Sequence, residues 1–159
     1  MLVCSRDQFR LLFTNPVFLS CIFSWFSAQF VKTIIKLVYG QIHSLRELFA
    51  LLFWRTGSMP SSHAALVSSL CTTIGFRSGL GSDIFVLSLG FFLVTIRDAV
   101  GVRRANGVQA KSLNELGKKL NAKGIVDYRP VKEVQGHTPL EVFIGCLLGF
   151  FVGLAFSVL

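Results

Sequence analysis

Gly57-Ser58-Met59-Pro60-Ser61-Ser62-His63, running straight into the apolar stretch Ala64 to Phe76, sets hydroxyls and an imidazole at the mouth of a helix apolar enough to enter a membrane. The first N–H groups of a helix lack intrahelical acceptors, and the macrodipole adds about half a positive charge there, so such a mouth attracts anions. The stretch predicts a helix over 60–76, with Pro60 in its first turn, where a missing N–H costs nothing. Its interior is Ala, Ser, Thr and Cys rather than Leu and Phe. Small residues let membrane helices approach closely, so this helix is expected at the centre of a bundle.

The remaining sequence agrees with a membrane setting. Of 159 residues, 52% are hydrophobic and 16 are Phe, and the mean hydropathy is +0.63. That excludes an ordinary soluble domain, and the length suits one membrane-embedded domain over 1–159. Three more spans are expected: 17–39, after the Asn15-Pro16 punctuation and before Gly40; 83–100; and 139–159. The fold class is therefore all-α, an integral membrane bundle of about four spans with short interfacial and loop helices. Residues 41–56 carry Leu45, Leu48, Phe49, Leu52 and Phe53 at helical spacing and are expected to lie in the interface plane. A polar loop over 101–136 is expected to hold one amphipathic helix, 107–121, with Val108, Leu113, Leu116 and Leu120 on its apolar face.

Arg6 and Arg10 before the first apolar stretch resemble the start of a signal peptide. The stretch is too long for one and has no small-x-small cleavage site, so it is read as a retained span. Cys4, Cys21, Cys71 and Cys146 form no CxxC pair and read as packed free thiols.

Alternating the spans puts Lys32 and Lys36, His63, Arg97-Asp98 and His137 on one side of the bilayer. Lys and Arg total 16 against 8 Asp and Glu, a formal +8. Arg6, Arg10 and Arg77 fall on the opposite side and all other Lys and Arg on this one, which makes the polar side cytoplasmic under the positive-inside rule, at an inner or plasma membrane. A basic membrane protein favours anionic headgroups or phosphates. The cations are scattered among apolar spans without a zinc-finger or RNA-binding signature, so nucleic acid is not an expected partner.

Three polar clusters meet on that side: Arg55 with Pro60 to His63; Asp98 to Arg104; and Gly136-His137-Thr138-Pro139-Leu140-Glu141. Glu141 lies four residues after His137, so its carboxylate can reach one imidazole nitrogen and fix the tautomer of the other. Phosphoryl transfer needs a nucleophile, a proton donor for the leaving oxygen and cations for the equatorial oxygens. His137 can attack phosphorus with Glu141 stabilising the imidazolium, and His63 can protonate the leaving alkoxide. Ser61, Ser62 and their N–H groups can hold phosphate oxygens, with Arg55, Arg103, Arg104 and one of Lys32 or Lys36 as the positive clamp.

Duller readings compete. His43, with no polar company, reads as an ordinary hydrogen-bonded residue, and Lys111, Lys118, Lys119 and Lys123 read as positive-inside anchors. Asp98, at a span end, calls for a partner such as Arg97, Arg103 or Lys32, and a structural ion pair is favoured over catalysis. Carboxylates are few, so no metal and no cofactor is expected. Gly145, Gly149 and Gly153 make successive GxxxG steps that serve packing within the bundle or a homo-oligomer.

At these residues the chain resembles the phosphatidic acid phosphatase type 2 superfamily, which includes the vanadium haloperoxidases. More closely, it is similar to the small divergent branch of acid phosphatase/vanadium-dependent haloperoxidase-related membrane proteins. The matching pieces are Ala28-Gln29 with Lys32, Gly57 to His63, Asp98 to Arg104 with Gly107-Val108-Gln109-Ala110 and Leu113-Asn114, and Gly136 to Val142. The superfamily pattern is a lysine followed by Arg-Pro, then Pro-Ser-Gly-His, then Ser-Arg with a histidine six positions on and an aspartate four further. The resemblance implies a helical bundle, a phosphohistidine intermediate on His137 and an acid role for His63, without a metal. Ser62 departs from the glycine, Glu141 from the aspartate and Val131 from the third-motif arginine. Arg129, Lys132 or the Arg103-Arg104 pair are the replacements within reach of the sequence. No Arg-Pro follows Lys32 or Lys36, and Arg55 stands in.

The leading expectation is a membrane phosphatase or phosphotransferase acting on a lipid phosphate or pyrophosphate, surrounded by membrane lipids. The alternative is a non-catalytic binder or transporter of anionic lipid or phosphate with the same cationic face. A purely structural role leaves the pairing of His63 with His137 unexplained.

Overall fold

The computed structural model describes residues 6–40, 44, 59–133 and 136–159. Its described elements are α-helices α1 (Arg6–Phe13), α2 (Pro16–Val38), α3 (Ser62–Ser78), α4 (Asp83–Arg97), α5 (Arg103–Ala122) and α6 (Pro139–Val158), with a π-helical turn over Asp98–Val102. The expected connector over 41–56 lies outside the described residues, apart from Ser44.

Helix starts follow from local chemistry. Asn15 caps α2 by accepting a hydrogen bond from the Val17 amide at 2.8 Å, with Pro16 pre-set at the first helical position. Ser82 caps α4 through the Phe85 amide, and Gly79, at φ +85°, makes the turn out of α3. The helix after Pro60 starts later than expected. Its cap is Ser61 and its first residue Ser62, so Pro60 sits before the cap rather than in the first turn.

Among the described residues three helices are long and apolar enough to cross a membrane, α2, α6 and the continuous Asp83–Ala122 rod, against the four spans expected. The difference is α3: 17 residues reach only about 25 Å at 1.5 Å per residue, and its face is rich in Ser and Thr. It is the central helix nonetheless, enclosed by α2, α4 and α6. The second correction concerns the loop over 101–136. The chain stays helical through the π turn to Ala122, so the expected break at Val100 and the separate helix over 107–121 merge with the span before them. Val108, Leu113 and Leu116 of α5 are exposed, and the buried positions of that helix are Asn114 and Gly117.

Burial is inverted relative to a soluble protein. Among the largest fully buried side chains are Lys32, Thr73, Ser20, Ser24, Ser61 and Ser69, while Phe23, Phe30, Phe91, Phe143 and Phe151 point outward. Hydrocarbon solvates that outer shell as well as a core would, which leaves the inside to small residues that let backbones meet.

The Thr73 and Ser20 hydroxyls meet at 3.0 Å and fix the register of α2 against α3. Counted in antiparallel turns from that pair, Ser24 falls at the level of Ser69, Ala28 at that of Ala65, and Lys32 at that of the Ser61-Ser62 mouth. α6 closes the third side with its glycines. A Cβ on Gly145 would collide with the Ser61 carbonyl oxygen, one on Gly149 with that of Ala65, and one on Gly153 would lie 2.8 Å from that of Ser69. The glycine face, expected to serve packing within the bundle or a homo-oligomer, packs here against α3 of the same chain.

Gly149→Ala should therefore destabilise the bundle by roughly 1–3 kcal/mol through overpacking. Gly90→Ala, where a Cβ meets nothing within 4 Å, should be neutral or better, since Ala is the stronger helix former. Thermal unfolding of the two variants in one detergent compares them, and equal loss would refute the close approach at Gly149.

Candidate functional site

Two helix mouths are tied together by one backbone bond: the Ser61 amide donates to the Glu141 carbonyl at 3.0 Å. Ser61, fully buried, uses its hydroxyl to cap α3, accepting from the Ala64 amide at 3.4 Å. Ser62 is buried as the first residue of α3, and the amides of Ser62 and His63 lie where a helix offers no acceptor. His63 stands exposed at the rim.

The second mouth orients the other histidine. Thr138 and Glu141 form a reciprocal capping box at the start of α6, with Pro139 at the first helical position. The same Glu141 Oε2 that accepts the Thr138 amide at 2.8 Å lies 3.3 Å from His137 Nδ1. An Nδ1–H donating to the carboxylate leaves the lone pair on Nε2. His137 is buried at 6% exposure.

Lys32 supplies the least expected feature. Its side chain is 1% exposed, and its Nζ has no hydrogen-bond partner among the described residues. It lies within the fields of Glu141, of Lys36 one turn on, and of both histidines. A buried unpaired ammonium is costly, and an intramembrane cation of this kind marks a ligand site by default. Lys36 is only half-buried, so of the two lysines Lys32 is the enclosed one.

Asp98 finds its partner in Arg103, Nε to Oδ2 at 2.6 Å. The π turn explains the spacing: the Arg103 amide bonds the Asp98 carbonyl, so residues five apart stack on one face, which an α-helix would not allow. Both side chains are partly exposed, and the Arg103 charge acts on both imidazoles. Arg104 lines a surface groove of about 410 Å³ with Val100, Gly101, Ala105, Val108 and Gln109. Its backbone is where Gly136 packs, so closely that a Cβ there would collide with it. Arg55 lies outside the described residues.

Desolvation holds both imidazoles below the ordinary histidine range. For His63, the Arg103, His137 and Lys32 charges add to that depression while Asp98 opposes it. For His137, the Glu141 hydrogen bond and charge oppose it, and Lys32 and Arg103 add to it. The structure thus brings Lys32, His63, Asp98, Arg103, His137 and Glu141 into one electrostatic neighbourhood. The described residues contain no cluster of three or more metal-ligating side chains.

Two polar residues escaped a role in the sequence reading. Gln29, one turn before Lys32, is 3% exposed with Oε1 unpartnered; its signal is a carboxamide inside an apolar span. Asn114 clamps the returning loop. It donates to the Val131 carbonyl at 3.0 Å and to Glu133 at 2.7 Å, and accepts from the Val131 amide at 2.9 Å and from the Tyr128 hydroxyl. All four hydrogen-bonding positions of its amide are used. Val131, where an arginine was sought, is thereby held by its backbone with its side chain turned outward at 42% exposure.

Comparison with known proteins adds two findings. A family model described as the divergent PAP2 family matches residues 13–152. An uncharacterized membrane protein of Bacillus subtilis (strain 168), YuiD, is 35% identical over 157 residues, covering 92% of this chain and 96% of that protein. No solved structure matches.

Proposed function

The chain belongs to the divergent PAP2 family, and from that premise we propose that it is a membrane phosphatase or phosphotransferase acting on a lipid phosphate or pyrophosphate. The observation that carries this reading is the buried, unpaired Lys32 ammonium beside two histidines at paired helix mouths. A phosphate there would gain the lysine, the Arg103 guanidinium and the Ser62 and His63 amides at once, in a site where low dielectric strengthens each contact.

The chemistry runs through His137. Neutral in the empty site, it attacks phosphorus with Nε2, and Glu141 stabilises the imidazolium that forms. His63 begins neutral as well, because burial and the surrounding cations disfavour its charged form. An arriving phosphate offsets those cations and raises the His63 pKa, loading the proton that the leaving alkoxide needs. Lys32 and Arg103 hold the equatorial oxygens.

Purified protein offered phosphatidic acid, phosphatidylglycerol phosphate and an isoprenoid pyrophosphate tests the reading. Phosphate release supports it. Binding of these lipids with no release would sink hydrolysis and leave the second reading, a binder or carrier of anionic lipid, which the outward Val131 favours. The active face is assigned to the cytoplasm by the Lys and Arg excess on that side. A reporter fused after Leu159 should then be active outside, and an internal reporter signal would reverse the assignment.

A further inference from the structure

A groove of about 330 Å³ opens between α3 and α4, lined by Leu70, Ile74, Ile84, Leu87, Ser88 and Phe91. Its one polar lining residue offers nothing to a ligand, because the Ser88 hydroxyl donates to the Phe85 carbonyl of its own helix at 2.8 Å. An occupant must be hydrocarbon. Toward the turn that joins the two helices the walls come together, where a Cβ on Gly75 would lie 2.9 Å from the Phe85 ring and 3.2 Å from Leu80. The groove has its floor at that end.

In the other direction both walls lead to the polar site. On α3, His63, Leu70 and Ile74 are spaced i, i+7 and i+11 and share one helical face. On α4, Ile84, Leu87 and Phe91 line up in the same way with Asp98, which keeps helical backbone angles. The Asp98 charge acts on the His63 ring, so the two walls reach the site together. At 1.5 Å per residue, Leu70 lies about 10 Å below His63 and Ile74 about 16 Å below it. An extended chain advances roughly 1.2 Å per bond, as a backbone does, so the groove spans about nine to about fourteen bonds from the site.

We propose that the α3–α4 groove seats the hydrocarbon chain of the lipid whose phosphate is held at His63 and His137, and so selects a long, unbranched chain over a short one. This rests on the lipid-phosphate reading above and names the part of the substrate held besides its phosphate. The bilayer solvates a chain about as well as the groove does, so no hydrophobic gain draws the lipid in. The contribution is alignment: a chain lying along the face that His63 shares with Leu70 and Ile74 brings its phosphate to the helix mouths in one orientation.

Two measurements test this, one of them independent of turnover. In phosphatidylcholine vesicles, an alkyl phosphate carrying a diazirine about twelve bonds from phosphorus should label the peptides that contain Leu70 and Leu87. Excess hexadecyl phosphate should suppress that labelling and hexadecanol should not. Labelling spread over the outward Phe faces, or suppressed equally by the alcohol, would reduce the groove to ordinary lipid contact and overturn the proposal. Leu87 is 74% exposed, so Leu87→Trp can fill the groove without crowding the bundle. It should lower kcat/KM for hexadecyl phosphate about tenfold and leave hexyl phosphate, too short to reach Leu70, within about twofold. Ile84→Trp should repeat the result if the first variant folds poorly. Equal loss on both substrates, or no loss on the long one, would also overturn it. Groove labelling suppressed by hexadecyl phosphate in a protein that releases phosphate from neither substrate would uphold the chain site and overturn hydrolysis alone.

Discussion

His137→Asn should abolish phosphate release, lowering turnover by roughly 10³-fold or more, as loss of a covalent nucleophile does. Asn keeps a polar group of modest size beside Glu141, so the capping box and the α6 mouth survive, and lipid phosphate should still bind within a few-fold of the parent. That split between turnover and binding is the informative result. Parallel loss of both would mean that the mouth had collapsed, and retained turnover would remove His137 from the chemistry. The parent's pH profile checks the same assignment. Burial holds His137 below the ordinary value near 6.5. The nucleophile must be neutral, so kcat/KM should stay level as pH falls to about 6.5 and decline only below it. In kcat the sign reverses for His63, which must be protonated in the complex, so activity falls as pH rises through its ligand-raised pKa. A kcat/KM profile already falling between pH 8 and 7 would contradict the desolvated site.

Lys32→Met should move stability and binding in opposite directions. Met has nearly the length of the lysine stem and no charge, so the substitution removes an unpaired ammonium from the α2–α3 interior. Replacing buried charge by matched apolar volume is often stabilising by about 1–4 kcal/mol, and the unliganded variant should melt higher in detergent. The parent should be stabilised further by millimolar phosphate or lipid phosphate, because a ligand that binds only the folded state shifts the unfolding equilibrium. The variant should lose that ligand-dependent shift, with affinity down about 10²-fold, in the range for truncating a buried charge contact. A variant that melts lower and still responds to phosphate would show the lysine to be structural.

Much of the fold could be read because membrane helices advertise themselves. α2 and α6 follow from apolar length with an Asn or Thr cap and a proline at the first position, and α3 follows from its small residues. What stayed hidden depends on geometry beyond local pattern. Gly101 and Gly107 punctuate the α4–α5 rod and invite a break, yet a π turn needs no particular residue and carries the helix through. Arg103 was among the partners expected for Asp98, and the π turn supplies the spacing of five that an α-helical grid would not. Asn114 finds its partners 14 to 19 residues away in a loop, a distance at which no periodicity survives. Of the site, His63, His137, Glu141 and Arg103 were legible as polar groups at span ends. Ser61 caps α3 with its hydroxyl and Arg104 lines a surface groove, and no local pattern announces either.

The doubly used oxygen of Glu141 reaches further than its two hydrogen bonds suggest. One lone-pair centre answers both the Thr138 amide and the His137 ring, so where α6 begins and which imidazole nitrogen stays basic are a single structural variable. Fraying of that first turn would then also scramble the proton on the His137 ring. Under the proposed mechanism the helix start could not loosen for ligand access without losing the nucleophile, so α6 would stay wound and any opening motion would fall to the other walls of the site.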